Sequence, residues 1–118
     1  MTPNKAIERV SSVLPDAYSD ENKLRWISEL DGMVRRLVYQ EAETEPYKFP
    51  EDMDKELLVP PPFDGVYEAY IMSKIDFHNQ EWGKYNNTAT TFHTLFDDYK
   101  KAYIRENMPK SSGDKIKI

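Results

Sequence analysis

Apolar residues recur at three- and four-residue steps along most of this chain, the spacing of one face of a helix. Ala6, Ile7, Val10, Val13 and Leu14 make the first such run. Thr2 can cap it, with Pro3 at the first helical position, where a missing N–H costs nothing, and Pro15 stops it. The spacing predicts a helix over 3–13. After a turn at 16–19, Ser19 is a good N-cap, and Asp20 and Glu21 fall where the helix dipole favours acids. Leu24, Ile27, Leu30, Val34 and Leu37 then carry a stripe widened by Trp26, Met33 and Val38. That predicts a second helix from Ser19 to about Glu41, with Gly32 a weak point worth roughly 1 kcal/mol against Ala.

The period then disappears. Between 41 and 56 stand seven acids and two bases, a net charge of −5, and Pro46, Pro50, Pro60, Pro61 and Pro62 punctuate the stretch and its end. Loops near 20 residues are uncommon in small domains unless they have a role. This one contains Tyr47, Phe49, Leu57, Leu58 and Val59, which a solvated linker does not need. They are expected to contact something, and a neighbouring subunit is the expected host, because a small core has limited room. In the isolated protein part of the segment is expected to be without fixed partners.

A third helix is expected after Pro62, capped by Asp64. Its apolar positions, with those of a fourth helix over about 87–106, share one alternation of four and three: 71, 75, 78, 82, 85, 89, 92, 96, 99 and 103. That phase also suits one long helix. Gly83-Lys84-Tyr85-Asn86-Asn87-Thr88 collects helix breakers and caps, so a break is expected there. Trp26, Ile27, Leu30, Val34, Ile71, Ile75, Phe92 and Phe96 are the expected core. The architecture is all-α: a short first helix and three longer ones in a small bundle, over a single domain from 1 to 109. Residues 110–118 read as a disordered polar tail.

Composition narrows the function. The 118 residues are 39% apolar, 31% charged and 13% aromatic, with mean hydropathy −0.78. There is no Cys, which removes disulfide scaffolds and thiol chemistry. No apolar run approaches the roughly 18 residues of a membrane span, and no leader-like stretch opens the chain. The net charge of −5 and pI near 5.0 argue against nucleic acid as a sequence-specific partner. From residue 100 onward, however, six bases face two acids, a net +4 opposite in sign to the loop.

Candidate chemistry is thin. Asp76, His78 and Glu81 lie within six residues, but the chain holds no Glu-x-x-His, the repeat that helical di-metal sites require. His78 falls on the aromatic stripe and is expected to pack, and His93 to face solvent. Glu51-Asp52-Met53-Asp54 lacks the glycine and spacing of an EF-hand loop. Neither a catalytic residue, nor a cofactor, nor a metal is assigned.

The order of elements resembles the small all-helical head–tail connector proteins of tailed bacteriophages, also called adaptor or head-completion proteins, over about residues 2–109. The likeness lies in the acid-capped second helix Ser19-Asp20-Glu21-Asn22-Lys23-Leu24-Arg25-Trp26-Ile27 and the proline lead-in Leu57-Leu58-Val59-Pro60-Pro61-Pro62. The aromatic and polar stretch Asp76-Phe77-His78-Asn79-Gln80-Glu81-Trp82 belongs to it as well. The segments 83–87 and 103–109 are also similar to uncharacterised prophage proteins of Gram-positive bacteria. The resemblance implies a non-enzymatic virion protein, made in the host bacterial cytoplasm. It would form a ring between portal and tail or stopper proteins, with DNA passing through. Tyr47, Phe49, Leu57, Leu58 and Val59 would then be contact residues, and Lys110, Lys115 and Lys117 their electrostatic counterparts across an interface. The alternative is another small helical interaction module, of tail completion or cytoplasmic regulation.

Overall fold

The computed structural model describes residues 1–42 and 44–107. Among them are four α-helices and no strand: α1 (Pro3–Val13), α2 (Asp20–Met33), α3 (Gly65–His78) and α4 (Trp82–Asn107). The expected all-α bundle is therefore what the chain forms. Glu43 and the tail, with Lys110, Lys115 and Lys117, lie outside the described residues.

The first two helices start where their caps sit. Thr2 accepts the N–H of Lys5 at 3.2 Å, and Ser19 accepts that of Asn22 at 3.1 Å. α1 buries Ala6, Ile7 and Val10, and α2 buries Leu24, Trp26, Ile27 and Leu30. The second helix does not run to Glu41 as a regular α-helix. After Met33 it widens into a π-helical turn, Val34–Tyr39, which stops at Gln40 in a left-handed conformation (φ 58°). The Glu41 N–H returns to the Arg35 carbonyl at 2.8 Å, and their side chains pair at 3.3 Å. Val34 and Val38 stay in the core, while Leu37, expected in the stripe, is half exposed.

α3 is the central helix. Val66, Tyr67, Ala69, Tyr70, Ile71, Ser73, Ile75 and Asp76 bury most of its circumference, as a helix packed on several sides requires. α1 and α2 cover one side and α4 the other. Asp64 precedes α3 as expected, but its side chain makes no capping hydrogen bond.

The chain does break between α3 and α4, four residues earlier than the glycine suggested. The Gln80 N–H bonds the Phe77 carbonyl at 3.0 Å and the Glu81 N–H bonds that of Asp76 at 3.0 Å, with Gln80 left-handed (φ 59°). This is a Schellman ending with Gln in the place usually held by Gly. Gly83 and the two asparagines lie inside α4, where a β-carbon at Gly83 would meet open space. α4 therefore runs back along α3 from Trp82, about 39 Å at 1.5 Å per residue. It buries Phe92, Tyr99 and Ala102. Of the expected core, seven residues are buried and Phe96 is half-buried against it.

Candidate interaction surfaces

The described residues of the segment 40–64 form an arm whose anchor is Asp31. This carboxylate is almost fully buried on α2. Tyr47 of the arm donates to Oδ2 at 2.5 Å, and the Leu58 N–H donates to the same oxygen at 3.3 Å. Tyr67 of α3 donates to Oδ1 at 2.5 Å and accepts the Val59 N–H at 2.8 Å. Burial pushes the Asp31 carboxyl above its ordinary range, against the pull of the two hydroxyls, the Leu58 N–H and the Arg35 charge. Burial, with Asp31 beside them, holds the Tyr47 and Tyr67 hydroxyls protonated far above the usual tyrosine value. Both therefore remain donors throughout the physiological range.

Around this anchor the arm is tied down along its length. The Tyr47 N–H reaches Ser28 Oγ at 3.0 Å. Asn4 on α1 bonds the Met53 carbonyl through its backbone and Asp54 through its side chain, at 3.0 and 2.7 Å. Met53, Leu57 and Val59 enter the core, and Leu58 packs against it. A neighbouring subunit is therefore not needed to bury the arm, as the sequence had suggested; the arm's apolar side chains fill the space above α2 and α3. Of its five expected contact residues, only Phe49 shows a large exposed face, at 41%. Tyr47 stays half-buried with Lys55 over its ring at 5.7 Å. The counterpart lysines lie outside the described residues.

A different surface stands out at the α3–α4 corner. Phe77, Trp82 and Tyr85 touch one another, with ring centroids 5.4–6.4 Å apart. Phe77 and Trp82 are 44% and 53% exposed. Beside them His78 is also exposed, its ring stacked at 5.6 Å and 12° on the buried indole of Trp26. By helical phase Trp82 and Tyr85 belong to an aromatic ladder read most simply as core stripe, with some of its rings, more than a core of this length needs, facing a partner subunit as the alternative. Trp82 opens α4 and stays exposed there, while Tyr85, one turn on, is half-buried beside Phe77 of α3. At the opposite end of α3, Pro60, Pro61 and Pro62 are exposed beside a groove that Tyr103 and Glu106 help to line.

Asp76, His78 and Glu81 do not converge. Asp76 is buried and accepts the Thr88 hydroxyl at 3.1 Å, His78 stacks on Trp26, and Glu81 pairs with Lys84 at 3.1 Å. Among the described residues no three metal-ligating side chains come together, and no helix is long and apolar enough to cross a membrane. A groove of about 430 Å³ between α2 and the arm is lined by Gly32, Met33, Leu37 and Pro46 together with the polar Arg25, Ser28, Glu29, Arg36 and Thr44.

No family model matches the sequence, and neither a curated protein nor a solved structure matches it.

Proposed function

We propose that this chain is a structural protein of a tailed phage or prophage, a head–tail connector that assembles as a ring between the portal and the tail or stopper proteins. It acts by contact and catalyses no reaction. The observation that carries the reading is the Phe77–Trp82–Tyr85 corner. Two exposed rings, Phe77 and Trp82, backed by the half-buried Tyr85 at a short, hydrogen-bonded helix turn, are the kind of anchor that dominates protein interfaces. The rest of the molecule agrees with such a role. The arm is fastened to α2 and α3 with Glu41, Glu45, Glu51, Asp54 and Glu56 exposed, an acidic exterior that repels DNA rather than gripping it. The resemblance in element order supplies the identity of the partners.

The test is genetic and structural. Deleting the gene from its phage, or replacing Trp82 with Ser, is expected to leave capsids that package DNA but carry no tails, visible by electron microscopy of lysates. Tailed, infectious particles at the normal titre from the deletion would overturn the reading. The other helical interaction module weighed above rests on the same corner. The deletion separates a connector from a cytoplasmic regulator, which leaves particles joined, and a tail-completion protein is told apart by its staying with the tails, not the heads, when the two are sheared.

A further inference from the structure

We infer that copies of this chain meet head to tail, with the exposed prolines Pro60–Pro62 of one copy seated on the Phe77–Trp82–Tyr85 corner of the next. The inference rests on the connector reading for self-association and adds the two surfaces that perform it. Three observations carry it.

The first is placement. The prolines lead into the N-terminus of α3 and the aromatic corner closes its C-terminus, so the 14 residues of α3 hold them apart by about 21 Å. α4 returns alongside α3, and Phe63 beside the prolines meets Tyr99 at 5.5 Å, so the two surfaces lie at opposite ends of one rigid helical pair. Two different surfaces at opposite ends join heterologously, which closes a ring or propagates a filament, whereas a surface that met itself would stop at a dimer.

The second is chemistry. The prolines lie in a turn closed by the Phe63 N–H on the Pro60 carbonyl at 2.9 Å, and their exposed pyrrolidine rings present apolar faces with no N–H to desolvate, which suit an exposed aromatic surface. Trp82, 53% exposed, offers the largest such face on the molecule. The third is charge. Glu106 rims the proline groove, and Lys84, 65% exposed, sits in the first turn of α4, next to Tyr85 and two residues after Trp82. Its pair with Glu81 is a surface contact of i,i+3 type, weak enough to exchange for Glu106 of an incoming copy. Three rings and three prolines fall short of the roughly 800 Å² per partner of a stable interface. A single contact is accordingly weak, and closure of the ring adds the remaining strength.

The chain has no Cys, so thiols can be introduced singly. Asn86 is exposed one turn beyond Trp82, and Asn107 is exposed in the proline groove. Purified N86C and N107C proteins, alone and mixed, are treated with a short bismaleimide at high protein concentration. The mixture is expected to give covalent dimer at least tenfold above either protein alone, and an N86C/N107C double variant a ladder of higher species. Adding Trp82→Ser, or Pro60→Ser with Pro61→Ser, should lower the yield at least tenfold at an unchanged circular-dichroism melt. N86C alone cross-linking as well as the mixture would show corner-to-corner pairing and overturn the inference. Self-association by sedimentation without the 86–107 cross-link overturns these surfaces but leaves the connector reading standing. Neither association nor cross-link overturns the inference and removes self-assembly from that reading as well.

Discussion

The hydroxyl of Tyr47 donates to Oδ2 of Asp31 at 2.5 Å, and this bond fastens the arm to α2 across 16 residues of chain. Tyr67 holds the other carboxylate oxygen, so one buried acid joins α2, α3 and the arm. Replacing Asp31 with Ala leaves the Tyr47 hydroxyl and the Leu58 N–H without their acceptor. A cost of about 1–3 kcal/mol per stranded buried group is expected. Urea unfolding measures it, and a change within about 0.5 kcal/mol would mean that the arm is held by its apolar contacts alone.

The same carboxyl gives a pH dependence with a definite sign. Burial raises the Asp31 carboxyl above its ordinary value of 3.8 in the folded chain. Folding therefore takes up a proton between that value and the raised one. The stability this group contributes is fully present below the unfolded pKa and is lost as pH rises through the folded one. Asp31→Asn cannot titrate. Its destabilisation relative to wild type should thus be larger near pH 4 than near pH 7, by urea unfolding at both. An equal or larger cost at neutral pH would contradict the raised pKa.

Lys23 and Asp16 form an ion pair at 2.9 Å with both side chains almost fully buried, and the other Asp16 oxygen accepts the Tyr18 N–H at 2.8 Å. Removing one partner strands a buried charge. Asp16→Ala is expected to cost about 3–5 kcal/mol, and Lys23→Met added to it should recover part of the loss. Full additivity of the two substitutions would show that the charges do not act as a pair.

Gly32 lies inside α2, and a β-carbon there would meet nothing within 4 Å. Gly32→Ala should raise stability by roughly 0.5–1 kcal/mol through helix propensity. A lower melting temperature would point to a backbone approach at Gly32. By contrast Ile75, fully buried in α3, should lose about 2–5 kcal/mol on replacement by Ala.

Much of this fold is legible in the sequence because its signals are local. Thr2 and Ser19 cap the helices they precede, and helical phase finds seven of eight expected core residues. What escapes is tertiary. Nothing near Asp31 announces that Tyr47 and Tyr67 will find it, so the arm's apolar residues could be seen to need burial but not where. The break after α3 is hidden for another reason. Gly83, Asn86 and Asn87 look like a stop, yet they occupy the exposed first turns of α4, where poor helix formers cost little. The real stop uses Gln80, whose left-handed conformation has no strong sequence mark. Phase also cannot tell a covered stripe from an uncovered one: it marks a ladder with more rings than a core needs, some of them open to a partner, but not that Phe77 and Trp82 are the exposed ones.

The most direct measurement is quantitative mass spectrometry of intact phage particles purified from the source. If this chain is a connector, it is present in every tailed particle, in a fixed ratio to the portal protein, and stays with the heads when tails are sheared off. Its absence from the particles, with the protein recovered only from the host cytosol, would contradict the connector assignment.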